Sequence, residues 1–253
     1  MSVYSGPTTW WGESGINDAA RIFASTKLVV QSGLVLNLDA GASTSYPGSG
    51  TTWTDLSGNG NTGTLTNGPT YSSANGGSIV FDGTNDYVTL GTPALMNGVQ
   101  VPLTICLWAR ANSFGGYNTL WGVYSSVSGG QLYSLFRVDG GTLRYFTSDS
   151  SGGFQYNGSL APSTSVWNFY TVTVSGTLSS PSVTIYLNSS SQTFSYSTLT
   201  SSPNLSLDFR IGSNSLGNEL WNGNISNVMW YNRALTASEI SQNFNALRGR
   251  FGI

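Results

Sequence analysis

The sequence predicts an all-β sandwich in a single domain, closed by one short helix. Three observations carry that prediction. Short segments rich in Val, Ile, Tyr, Phe, Trp and Thr alternate apolar with polar residues and stop at Gly, Asn, Ser or Pro, the pattern of half-buried strands and their turns. Some of those turns hold residues that tolerate a positive φ. The 253 residues, 39% of them apolar, suit one large sandwich, since all-β domains of roughly 200–250 residues commonly form a single unit.

In chain order, residues 1–31 differ from the rest. Trp10-Trp11 lies between Pro7 and Gly12, and Ile16, Ala19, Ala20 and Phe23 fall on one helical face. This stretch reads as an N-terminal arm, Trp10 and Trp11 being its attachment residues, or as an extra edge folded back on the sandwich to cover the two indoles. The sandwich domain is assigned to 32–253. Its expected strands are 34–38, 78–81, 87–90, 103–110, 119–124, 131–138, 142–147, 167–174, 183–187, 192–196, 207–211 and 224–231. Asp139-Gly140-Gly141 and Asn188-Ser189-Ser190 each predict a hairpin. Thr236-Ala237-Ser238-Glu239 is a capping box opening the apolar spacing Ile240, Phe244, Leu247, which predicts the closing helix.

Composition narrows the chemistry. Charged residues are 8% of the chain, against about 25% in an average soluble protein. Ser and Thr number 67 and Gly 32, so the surface is one of hydroxyls, amides and glycine. Eight Arg and one Lys are scattered singly and the net charge is -2, which leaves no basic stripe for nucleic acid. Histidine is absent, removing the commonest general base. The lone Cys106 sits in the apolar run from Leu103 to Trp108 and reads as core. No run of 18 apolar residues predicts a membrane span, and the N-terminus carries no export signal.

The motifs point to binding. Gly58-Asn59-Gly60-Asn61-Thr62-Gly63 matches the dinucleotide pattern G-x-G-x-x-G, but Asn67-Gly68-Pro69 soon after it does not start the helix that chemistry needs. Read instead as Asp55-x-Ser57-x-Asn59-Gly60, the loop resembles the opening of a calcium loop, to be completed by Asp82 or Asp86. The alternative is an Asx-turn-rich loop whose side chains satisfy backbone N–H groups. A glycosidase needs two carboxylates flanking its bond; of three Glu, Glu239 belongs to the capping box and Glu13 to the arm, leaving Asp82 and Asp86 as the only close acidic pair beside a strand. Trp53, Tyr117, Tyr124 and Trp221 lie next to loop signals, where an exposed ring can stack on a sugar face.

The order of these motifs is similar to that of a known group. Gly33-Leu-Val-Leu-Asn-Leu-Asp39, Trp53-Thr-Asp-Leu-Ser-Gly-Asn-Gly-Asn61 and Ser78-Ile-Val-Phe-Asp-Gly-Thr-Asn-Asp-Tyr-Val88, followed by Leu103 to Trp108, Val183 to Asn188 and Gly223 to Leu235, resemble the laminin G-like members of the concanavalin A-like lectin/glucanase superfamily over roughly residues 32–247. The resemblance implies a jelly roll of two antiparallel sheets that binds carbohydrate, protein or calcium at one rim in many members. The Glu-x-Asp-x-x-Glu strand of the glucanase branch is absent. The segment Tyr46-Pro-Gly-Ser-Gly-Thr-Thr-Trp53 resembles domains common in tailed phages of marine bacteria, where they occur in fibres, adhesins and capsid decorations. The expectation is a non-enzymatic virion surface protein, made in the host cytoplasm, that partners other virion proteins or itself. The rival is a free glycan-binding module with Asp55, Asn59, Asp86 and Trp221 at its rim, and a glycanase comes third.

Overall fold

The computed structural model describes residues 28–92, 101–127, 130–149, 152–177, 179–195 and 208–253. Among these, sixteen strands form two eight-stranded sheets in which every pairing is antiparallel. The strands are β1 (Leu34–Asp39), β2 (Thr52–Trp53), β3 (Gly63–Thr66), β4 (Thr70–Ser72), β5 (Ser78–Asp82), β6 (Tyr87–Thr89), β7 (Leu103–Ala111) and β8 (Tyr117–Val127), followed by β9 (Gly130–Asp139), β10 (Thr142–Asp149), β11 (Gly152–Asn157), β12 (Asn168–Thr177), β13 (Ser180–Leu187), β14 (Ser190–Ser195), β15 (Arg210–Ile211) and β16 (Asn222–Tyr231). The first sheet runs β14-β13-β12-β7-β16-β5-β4, with β1 also paired to β16, and the second β11-β10-β9-β8-β15-β6-β3-β2. This is the expected two-sheet sandwich.

Strand parity builds the core. Leu103, Ile105, Leu107 and Ala109 of β7 meet Trp121, Phe136, Val138 and Tyr145 of the second sheet between the layers, because every second side chain of a strand points to one face. The intervening residues Cys106 and Trp108 belong to a separate cluster on the back of the first sheet, beneath helix α1 (Ala237–Leu247). This explains why β7 reads as continuously apolar: it is covered on both faces. Burial pushes the Cys106 thiol up to about 12, so it is an inert core group.

The local signals behave as their chemistry requires. Gly140 and Gly141 take φ of 58° and 81° between Asp139 and Thr142, which pair. Asn188, at φ 55°, turns β13 into β14 and its Oδ1 accepts the Phe169 N–H at 2.8 Å. Thr236 Oγ1 accepts the Glu239 N–H at 3.3 Å while a Glu239 carboxylate oxygen accepts the Thr236 N–H at 2.9 Å, completing the capping box. The 58–63 glycine loop leads into strand β3, not a helix.

The arm boundary needs correction. Val30 is buried; its N–H donates to Asn243 Oδ1 at 2.8 Å and its carbonyl accepts the Tyr231 hydroxyl at 3.0 Å. Gln242 Nε2 donates to the Leu28 carbonyl at 2.8 Å. Residues 28–31 are thus part of the sandwich, docked on α1, and a cut at 31 would remove a piece of the core. Trp10, Trp11 and the 16–24 helical patch lie outside the described residues. No helix among the described residues is long and apolar enough to cross a membrane.

Candidate functional site on the outer face of the second sheet

The back of the first sheet is closed by α1, whereas the outer face of the second sheet carries charge and rings. Phe136 and Val138 of β9 point into the core, so Arg137 between them points out. Cross-strand register places Thr119 and Arg144 opposite it. Two cations directly opposed repel, and the structure answers with carboxylates: Arg137 Nη1 donates to Glu219 at 2.6 Å, Arg137 Nη2 to Asp139 at 3.1 Å, and Arg144 Nη1 to Asp139 at 3.1 Å. Thr119 Oγ1 donates to the other Glu219 oxygen at 3.0 Å.

Glu219 arrives from the segment after β15, which doubles back over the sheet. Asn214 Oδ1 accepts the Leu216 and Asn218 N–H groups, and Ser215 Oγ both accepts the Tyr124 N–H and donates to the Asp208 carbonyl. Gly122 makes room for Leu135 on this face, since a Cβ there would collide with the Leu135 side chain. The Arg137 guanidinium lies 4.0 Å from the Tyr117 ring centroid and 4.2 Å from that of Phe146. Cation–π contacts of this kind contribute about 0.5–2 kcal/mol, more as water is excluded. The motif recurs two strands away, where Arg210 sits 3.9 Å over the Tyr87 ring and donates to Asp208 at 2.7 Å; the Thr89 hydroxyl also bonds Asp208. Arg137 is 8% exposed, yet Tyr117 is 52% exposed. One face of Tyr117 is therefore backed by a fixed cation, and the ring remains open to solvent.

Of the other expected ring platforms, Trp53 and Trp221 are corrections: both are fully buried, in the inter-sheet core. Each lies beside a loop, but strand parity turns it inward. Tyr124 is partly buried on β8. The expected calcium set also fails to assemble. Asp55 Oδ1 accepts the Asn37 and Ser57 N–H groups at 2.9 Å each, and Oδ2 accepts the Ser57 hydroxyl at 2.8 Å and the Asn61 N–H at 3.0 Å. The single Ser57 hydroxyl proton is shared between Asp55 and the Val35 carbonyl, 3.0 Å away, and Asn59 Nδ2 donates to the Leu34 carbonyl. This is the Asx-turn alternative, a loop tied to β1.

Asp82 and Asp86 lie at the other end of β3, because Trp53 pairs with Gly63 while Tyr87 pairs with Thr66. Asp86 accepts the Asp82 N–H at 3.0 Å, and Asp82 accepts that of Thr84 at 2.7 Å. Burial raises the Asp86 carboxyl above its usual range, opposed by the Asp82 backbone bond and assisted by the Asp82 charge. Among the described residues no three His, Cys, Asp or Glu side chains converge on a point.

Comparison with known proteins agrees with the fold. The model of the concanavalin A-like lectin/glucanases superfamily matches residues 82–241, well over half of the chain. The chain belongs to this superfamily. Solved structures of similar fold include domain 4 of AbnA, an extracellular arabinanase from Geobacillus stearothermophilus solved with arabinotriose, at 17% identity and TM-score 0.61, with 83% of this chain and 97% of that domain covered. The binding domain of Paraclostridial Mosquitocidal Protein 1 aligns at 20% identity and TM-score 0.63 over 85% of this chain and 52% of that one. Trypanosoma rangeli sialidase with sialic acid aligns at 14% identity and TM-score 0.64 over 93% and 39%. This superfamily member thus spans about half or less of the latter two chains, and identities this low establish the fold alone. No curated protein sequence matches significantly.

In this member the residues missed by sequence reasoning are Arg137, Arg144, Glu219 and Phe146. A signal was available. The Asp139-Gly140-Gly141 turn fixes a hairpin register that sets Arg137 against Arg144, and such a pair demands shared carboxylates.

Proposed function

We propose that the protein is a non-catalytic carbohydrate-binding module, and that it grips glycan with the outer face of its second sheet. The observation that carries this reading is the exposed Tyr117 ring held from behind by Arg137 amid a lattice of paired charges. A sugar's C–H face would lie on the free side of Tyr117, while Asp139, Arg144 and Glu219 offer donors and acceptors for hydroxyls. Because the cations and carboxylates of this face neutralise each other, the surface suits hydroxyls over a charged ligand. The absence of catalysis is part of the proposal. Glu219 and Asp139 are both bound to Arg137, Glu239 to Arg233 and Asp39 to Arg250, so these carboxylates are engaged in structure, and Asp82 and Asp86 accept N–H groups of their own turn.

A second, finer reading places this module on a particle, as a virion decoration or fibre component. It is favoured by polarity: Leu28 joins the sandwich at α1, on the side opposite Tyr117. Residues 1–27, with Trp10 and Trp11, would then join a neighbouring protein while the glycan face points outward. A glycan array on the full chain, paired with a reducing-end assay on every positive glycan, tests the first reading. Binding that falls about tenfold in Tyr117→Ala, as one lost aromatic contact of ~1.4 kcal/mol requires, with no reducing ends released, supports it. Binding indifferent to Tyr117, or turnover, refutes it.

A further inference from the structure

A concavity lies on the opposite side of the molecule, between the β13–β14 hairpin and helix α1, with a volume of about 180 Å³. Both walls are fixed. The hairpin is pinned through Asn188, whose Oδ1 accepts the Phe169 N–H and whose Nδ2 donates to Asn168 Oδ1 at 3.0 Å. The helix is fixed by its capping box and by Ile240 and Phe244, the latter stacked on Trp108 with ring centroids 5.4 Å apart.

The lining combines two rings, Tyr186 and Phe244, with the hydroxyls of Ser189, Ser191 and Ser241 over Ile240, and holds no Asp, Glu, Lys or Arg. Ser241 Oγ accepts one bond, from Asn245 Nδ2 at 3.2 Å, and keeps its proton free for a ligand. A concavity with aromatic walls, several hydroxyls and no fixed charge excludes carboxylates, phosphates and cations, which need a counter-charge when desolvated. Its volume falls below the ~300 Å³ at which drug-sized sites begin, a size that suits one polyhydroxylated ring.

We propose that this groove is a second binding site, for a single neutral sugar residue, stacked against Tyr186 and hydrogen-bonded by the serines of the two walls. The site is independent of the one on the second sheet: no residue is shared, and either can exist without the other. On a multivalent surface, two weak sites facing opposite ways would let one module cross-link glycan chains.

The test is a ¹H–¹⁵N NMR titration of the full chain with the methyl glycosides of glucose, galactose, mannose and N-acetylglucosamine into the tens of millimolar. The expected result is saturable shifts at Tyr186, Ser189 and Ser241 with at least one of the four. Ser191→Ala should weaken that binding about tenfold, the equivalent of one hydrogen bond at ~1.4 kcal/mol. Ser241→Trp, which fills the groove from the helix, should abolish it with an unchanged melting temperature, and Ser189→Trp fills it from the hairpin should the first variant misfold. No saturable shift at these residues with any of the four glycosides, or shifts that survive a folded groove-filling variant, overturns the proposal. Response confined to Tyr117 and Thr119 overturns the groove and leaves the second-sheet reading standing; response confined to the groove does the reverse.

Discussion

Removing the Arg137 guanidinium should cost both stability and glycan binding, and a second substitution should restore only the first. In Arg137→Ala, Glu219 and Asp139, with side chains 14% and 13% exposed, lose the cation between them. Breaking one side of a buried pair costs about 3–5 kcal/mol. Arg144 still reaches Asp139 and residual solvent screens the charges, so the lower part of that range applies; loss of the ring contacts on Tyr117 and Phe146 adds ~1 kcal/mol. The expected total is about 4 kcal/mol, equivalent to a fall of roughly 8–16 °C in melting temperature at ~2–4 °C per kcal/mol for a domain of this size. Glu219→Gln in the same chain removes the stranded charge and should recover ~1–2 kcal/mol, a coupling that a double-mutant cycle reads directly. Glycan affinity should stay low in both variants, because Tyr117 has lost its backing. Urea unfolding followed by tryptophan fluorescence, with glycan titration of the same samples, gives both numbers. A single variant within 1 kcal/mol of the parent, or full binding in the double variant, would refute the coupling of ion pair and ring.

Three further outcomes are expected. The bonds from Arg233 and then the Thr236 N–H hold the Glu239 carboxyl down at about 2; its stabilisation is therefore complete above its ordinary value near 4.5 and is lost as pH falls toward 2, so thermal melts from pH 6 to pH 2 should show the gap between parent and Glu239→Gln, about 1 kcal/mol for an exposed cap and ion pair, closing with acid. Asp55→Ala strands the backbone donors of Asn37, Ser57 and Asn61 and should destabilise by ~2–4 kcal/mol; a calcium-loop role would instead show as a parent melting temperature that rises with calcium and falls with chelator, and neither is expected. Deleting residues 1–31 should leave a sandwich ~3 kcal/mol less stable than deleting residues 1–27, since the longer cut removes buried Val30 and leaves Asn243 and Tyr231 short of a partner; equal melting temperatures would return the boundary to 31.

What the sequence made legible was local. The capping box at Thr236, the Asn188 hairpin and the Gly140-Gly141 turn each depend on neighbours within four residues, and each is found where its chemistry put it. The all-β class followed from strand alternation, which burial on one face imposes everywhere. Long-range placement was a different matter. Trp53 and Trp221 looked like rim residues because turn formers flank them, but Trp53 is turned inward by its pairing with Gly63, and Trp221 by its bond to the Gly212 carbonyl and its packing on Phe114 and Tyr170. Asp55 and Asp86 looked joinable in one ion site, and only the register of β3 shows that a strand separates them. The lattice around Arg137 draws Glu219 from 82 residues away, through a loop that folds back over the sheet. Tyr117 was picked out as a ring beside a loop; what makes its position useful, a guanidinium beneath it, depends on that return.

The most direct test of the account is to locate a bound oligosaccharide on the intact chain by NMR shift mapping and to weigh the sugar afterwards by mass spectrometry. The account predicts shifts centred on Tyr117, Thr119 and Arg144, with the oligosaccharide recovered at its starting mass. Shifts centred on Asp82 and Asp86, or a shortened product, would contradict it.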